Sequence, residues 1–112
     1  RNWETLKKRE RGDERLLDHV PRAMPALLQA QSVQNRATGA GLAPDVPSAD
    51  AAASLLRDLT HGASDNERVG DLLMTIVSLA REAGIDAEDA LRAAIGRYRI
   101  HVEQEENRRS GG

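Results

Sequence analysis

The chain contains no cysteine and no phenylalanine, and Trp3 and Tyr98 are its only other large aromatic side chains. The first absence removes disulfides, thiolate metal sites and cysteine nucleophiles together. The second leaves core packing to Leu, Val, Ile, Met and Ala, a set that suits closely packed helices better than a sheet. No apolar run approaches the roughly 20 residues of a membrane span, and no signal peptide opens the sequence. A cytoplasmic protein with no membrane partner is expected. Charge of one sign is missing as well: 16 basic and 18 acidic residues leave a formal net charge of −2, which argues against a generic nucleic-acid binder. With 112 residues the chain has room for one domain, expected over residues 1–109, with 110–112 as a flexible tail. Because Arg rather than Met stands first, a segment of a longer protein is expected.

What is present is helical periodicity broken by Pro and Gly. Arg1 to Arg15 interleaves both signs of charge, the pattern of a solvated helix, with Trp3 and Leu6 as its small apolar contact and Gly12 as its break. The next segment offers Asp18 as a cap before Pro21, while Pro25 either marks the true helix start or kinks it one turn in. Met24, Leu27, Leu28, Ala30, Gln31, Val33, Gln34 and Ala37 then alternate apolar and polar faces at helical spacing, and Gly39 and Gly41 stop the run. Residues 42–49 hold Pro44 and Pro47 and read as a loop. A helix over 50–59 carries Ala51, Ala52, Leu55, Leu56 and Leu59 as a buried stripe. Gly62 marks a turn. Val69, Leu72, Leu73, Ile76, Val77 and Ala80 form the next apolar stripe, closed by Gly84. Asp86 then reads as an N-cap with Asp89 in the reciprocal place, before Ala90, Leu91, Ala94, Ile95, Tyr98 and Val102 on one helix face. The expected fold is all-α, a four-helix bundle with an N-terminal helical arm.

Few residues carry obvious chemistry. His19, His61 and His101 are too far apart for a helical zinc pair, and there is neither a phosphate-cradling Gly-rich loop nor a Gly-x-Ser-x-Gly elbow. Ser54 and Ser78 have no evident base within a turn. Among the acids, Glu67 and Asp71 stand at i, i+4 on one helix face, and Asp58 lies on the preceding helix. Carboxylates on facing helices are how a bundle holds a hard divalent cation, so these three are the candidate metal ligands; as ordinary surface carboxylates they would need no further role.

Two stretches together resemble a known family. Leu17-Asp18-His19-Val20-Pro21-Arg22-Ala23-Met24-Pro25-Ala26-Leu27-Leu28-Gln29-Ala30-Gln31, with Gln34-Asn35-Arg36-Ala37 after it, resembles the entry segment of the C-terminal half of MazG-type nucleoside triphosphate pyrophosphohydrolases, and Trp3, Lys7 and Glu10 fit the same pattern. Val69-Gly70-Asp71-Leu72-Leu73-Met74, Val77-Ser78-Leu79-Ala80-Arg81 and Gly84-Ile85-Asp86-Ala87-Glu88-Asp89-Ala90-Leu91-Arg92 resemble that family's metal helix and its successor. The resemblance implies an all-α, oligomeric protein that cleaves nucleoside triphosphates to the monophosphate and pyrophosphate, with carboxylates from two helices holding Mg2+ and a metal-activated water attacking the α-phosphorus.

The family's ligands come as Glu-Glu-x-x-Glu on one helix and Glu-x-x-Asp on the next. Here the first motif falls on Ser54, Leu55, Leu56, Arg57 and Asp58, and the second on Arg68, Val69, Gly70 and Asp71. The family's Ala-Asn-x-Lys-Phe falls on Ala94, Ile95, Gly96, Arg97 and Tyr98, and an Arg of the following turn on His101. Opposite unit charges about 4 Å apart attract by about 4 kcal/mol at an effective dielectric near 20, so a guanidinium at a ligand position turns attraction into repulsion of that order. The expectation is therefore a non-catalytic domain, kept for packing or dimerisation, whose partners are a second copy and a neighbouring MazG domain of the same chain. An enzyme using Mg2+ on Asp58, Glu67 and Asp71, with Arg57, Arg68 or Arg97 on the phosphates, is the alternative. A regulatory module binding nucleoside triphosphate through Arg68 and Arg97 is a third. Nucleic acid is not expected as a partner.

Overall fold

Pro25 settles where the first helix begins. Its ring bars the residue before it from helical geometry, and its missing N–H is no loss at a helix start. In the computed structural model, which describes residues 15–42, 45–62 and 65–111, α1 spans Ala26–Gly39 with Pro25 at its N-cap. The expected cap at Asp18 is not one: its Oδ2 accepts from the Arg15 amide at 2.9 Å, and turns occupy the stretch to Met24. At the other end, Gly41 at φ 82° lets its own amide reach the Thr38 carbonyl at 3.0 Å and the Leu42 amide reach Ala37 at 2.8 Å. That pair of bonds closes the last turn over carbonyls the helix leaves unpaired. The expected helical arm over residues 1–15 lies almost wholly outside the described residues.

The remaining helices begin on side-chain caps. α2, Ala49–Thr60, starts from Ser48, whose hydroxyl accepts from the Ala51 amide at 3.2 Å. α3, Asn66–Glu82, starts from Asp65, which accepts from the Arg68 amide at 2.9 Å. The turn out of α3 repeats the one after α1, with Gly84 at φ 71° and Ile85 donating to the Ala80 carbonyl at 2.8 Å. α4, Ala87–Gly111, is capped by Asp86, whose Oδ1 accepts from the Asp89 amide at 3.0 Å, so the capping residue read from the sequence holds. Ser110 and Gly111 continue the helix.

These four helices pack together, with no strand among the described residues. α3 is central and lies against α1, α2 and α4, while α1 also meets α4. The core is small and partly polar: Val77, Thr75, Gln34, Ala52, Ser78, Ala87 and Val20 are its buried members. The α3 stripe read from the sequence is therefore only partly inward. Val77 is buried and Val69, Leu72 and Ala80 are half-buried, but Leu73 and Ile76 are 46% and 50% exposed. Thr75 and Ser78 take the inward places instead. The Thr75 hydroxyl reaches the Pro47 carbonyl at 3.0 Å and the Asp71 carbonyl at 3.1 Å, which removes the penalty of burying it. On α2, likewise, Ala52 is buried and Leu55 and Leu59 are half-buried, whereas Ala51 and Leu56 face solvent. No helix among the described residues is long and apolar enough to cross a membrane.

Candidate functional site

The packing of α3 beside α2 leaves an open depression of about 660 Å³, lined by Pro47, Ala51, Ser54, Leu55, Asp65, Glu67, Arg68 and Asp71. Helical spacing supplies most of it: Glu67, Arg68 and Asp71 fall within the first two turns of α3, and Ala51, Ser54 and Leu55 within the middle of α2. Pro47 is held at the rim by the Thr75 hydroxyl bonded to its carbonyl.

Of the sequence-derived site residues, the structure gathers Glu67, Arg68 and Asp71, all exposed, on this one wall. Asp58 is half-buried on α2 and does not line the depression, and Arg97 sits exposed on α4, also outside it. Each polar neighbour is engaged in structural work. Ser54 Oγ accepts from Arg57 Nη2 at 3.1 Å, and Asp65 spends its Oδ1 on capping α3. The Arg57 carbonyl, at the helix end, receives the Thr60 hydroxyl at 2.7 Å and lies 2.8 Å from His61 Nδ1.

This donor set does not fit magnesium. The ion takes near-octahedral oxygen ligation, and of the three carboxylates lining the depression Asp65 is engaged in capping α3, which leaves Glu67 and Asp71 beside a guanidinium, facing an alcohol and an alkyl side chain. Among the described residues no group of three or more His, Asp or Glu side chains converges to hold a metal ion. What the wall can do chemically is present mixed charge to a polar solute.

Sequence reasoning overlooked the polar seam between α1 and α3. Arg81 donates from Nε to Asn35 Oδ1 at 2.7 Å, from Nη2 to Thr38 Oγ1 at 3.1 Å and from Nη1 to Gln34 Oε1 at 3.4 Å. Gln34 Nε2 in turn donates to the Met74 carbonyl at 3.1 Å, and Gln31 Oε1 accepts from the Ala87 amide at 3.2 Å. The available signal was a file of polar residues, Gln31, Gln34 and Thr38, along the inner face of an otherwise amphipathic helix.

No family model matches the chain. The nucleoside triphosphate pyrophosphohydrolases of Escherichia coli strain K12 and of Escherichia coli O157:H7 are each 34% identical to it over 105 residues, covering 82% of this chain and 40% of theirs. The chain thus spans less than half the length of the curated relatives it matches.

Proposed function

The chain is a distant homologue of the MazG-type nucleoside triphosphate pyrophosphohydrolases, and from that relationship we propose that it is a non-catalytic domain of the class, a packing and dimerising half beside a MazG domain that does the chemistry. One observation carries the reading: at the α2–α3 wall, where the family's ligand motifs fall, Ser54, Leu55 and Arg68 stand in place of carboxylates. Repulsion from the guanidinium, together with too few oxygen donors, leaves nothing to fix Mg2+ on a triphosphate.

The test is pyrophosphate release from a panel of nucleoside triphosphates with Mg2+ present. No release above background is expected, and added Mg2+ should leave the melting temperature unchanged. Turnover that Asp71→Asn abolishes would overturn the reading in favour of a rearranged magnesium site on Asp58, Glu67 and Asp71. Arg68 on the wall favours a second reading, nucleotide binding without hydrolysis, because a guanidinium can meet a phosphate directly. Calorimetric titration with nucleoside triphosphate separates the two: metal-independent binding supports the regulatory reading, and no heat leaves the structural one.

A further inference from the structure

Two hydroxyl side chains of α3 take buried places, and only one of them is partnered. Thr75 is bonded to the Pro47 and Asp71 carbonyls. Ser78, at 8% exposure, has no hydrogen-bond partner for its hydroxyl among the described residues. Its oxygen is not sealed in, since no fully buried side-chain oxygen or nitrogen among them lacks a partner. It opens instead on a depression of about 370 Å³ between α3 and the start of α2, which Ser78 lines with Pro47, Ser48, Ala49 and Glu82. A polar group lodged this deep in a native protein is hydrogen-bonded to protein, water or a ligand.

The other side of the depression is the N-terminus of α2, a helix of 12 residues. Ser48 spends its hydroxyl on the Ala51 amide and its carbonyl on the Ala52 amide. The amides of Ala49 and Asp50 are left without acceptors among the described residues, at the positive end of the helix dipole, where an anionic oxygen is favoured. The bond from Thr75 to Pro47 fixes this end of α2 against α3, so the donors stand in place before any ligand arrives.

Charge then selects the ligand. Glu82, exposed and with no ion pair among the described residues, stands one helical turn beyond Ser78 and puts a negative charge on the rim. It repels a free phosphate or sulfate. A molecule carrying both signs satisfies the two sides together, a carboxylate on the amides and an ammonium on Glu82. Val46 and Leu79 add apolar surface beside them. The volume is near the lower bound of roughly 300 Å³ for ligand pockets, which suits a small molecule.

We propose that this depression binds a small zwitterion, an aliphatic α-amino acid whose carboxylate meets the Ala49 and Asp50 amides and the Ser78 hydroxyl and whose ammonium meets Glu82. The site shares only Pro47 with the α2–α3 wall, so it does not depend on whether that wall is catalytic.

NMR titration of the 112-residue chain tests it, with glycine and L-valine as probes and the amide signals of Ala49 and Asp50 as the readout. Saturable shifts of both signals are expected with at least one of the two. Isovalerate, which lacks the ammonium, and isobutylamine, which lacks the carboxylate, should bind about tenfold or more weakly. Glu82→Gln should weaken amino-acid binding about tenfold or more, the loss of a charge-assisted bond, and Ser78→Ala about fivefold, the loss of a neutral one. Circular dichroism checks that both variants stay helical, and Glu82 is exposed enough that its variant keeps the test open if Ser78→Ala does not fold. No saturable shift with either amino acid overturns the proposal. So does isovalerate binding as tightly as L-valine, which would leave a plain anion site, or a Glu82→Gln variant that binds like the unmodified chain.

Discussion

Gln34 is a buried polar side chain whose two ends are both used: the amide nitrogen donates to the Met74 carbonyl at 3.1 Å and the oxygen accepts from Arg81 at 3.4 Å. Removing it deletes two modest bonds and opens a void at only 3% exposure. Gln34→Ala is expected to cost about 2 kcal/mol, seen as a lower urea midpoint with an unchanged slope. Gln34→Leu keeps the volume and should recover part of that loss; full recovery would show that the hydrogen bonds contribute nothing. The site makes its own prediction at this scale. Ser54→Glu combined with Arg68→Glu returns two carboxylates to the α2–α3 wall and removes the opposing charge. The double variant should gain a rise in melting temperature on adding Mg2+, a response absent from the unmodified chain. If both melt alike with and without the ion, the missing ligands are not what separates this wall from a magnesium site.

For the elements, most ends were legible in the sequence, the expected cap at Asp18 being the exception, and the facings were not. Asp86 was readable as a cap because the rule is local, an oxygen placed three residues before an amide without a partner. The same rule applies to Asp65, which accepts from the Arg68 amide at 2.9 Å. Asp65→Ala should therefore destabilise the fold by about 1 kcal/mol, while Asp65→Asn should lose only a few tenths; equal losses in chemical denaturation would assign the effect to charge at the helix start instead. Pro25 left two readings because a helix tolerates proline at its start and survives it with a kink, and only the turns upstream decided between them. Facing is a different matter. The apolar arc of α3 was plain, yet which part of it turns inward depends on where α1 and α2 lie, and Thr75 and Ser78 displaced Leu73 and Ile76 from the buried side. The site divides the same way. Glu67 and Asp71 share a wall because one helix spaces them, whereas placing Asp58 beside them required knowing how α2 is rotated, and it does not line the depression.

At the scale of the molecule, these exposed faces amount to an unfinished core. The radius of gyration is 19.9 Å, against about 13 Å for a compact chain of this length. Much of that excess is α4: at 1.5 Å per residue, 25 residues extend about 38 Å, well past the roughly 26 Å of α3. Among the described residues these four helices bury one large aliphatic residue, Val77, below 2% exposure and leave many others exposed. If a second copy supplies the missing contacts, folding and association are one equilibrium, and stability must depend on protein concentration. For a dimer unfolding to two chains, each tenfold rise in concentration adds about 1.4 kcal/mol per dimer. Divided by the unfolding entropy of two such chains, that shifts the melting temperature upward by about 3 °C. Calorimetry over two decades of concentration measures this directly. A melting temperature independent of concentration in the unmodified chain would mean that these helices stand without a partner, and the exposed stripes would then need an explanation within one copy.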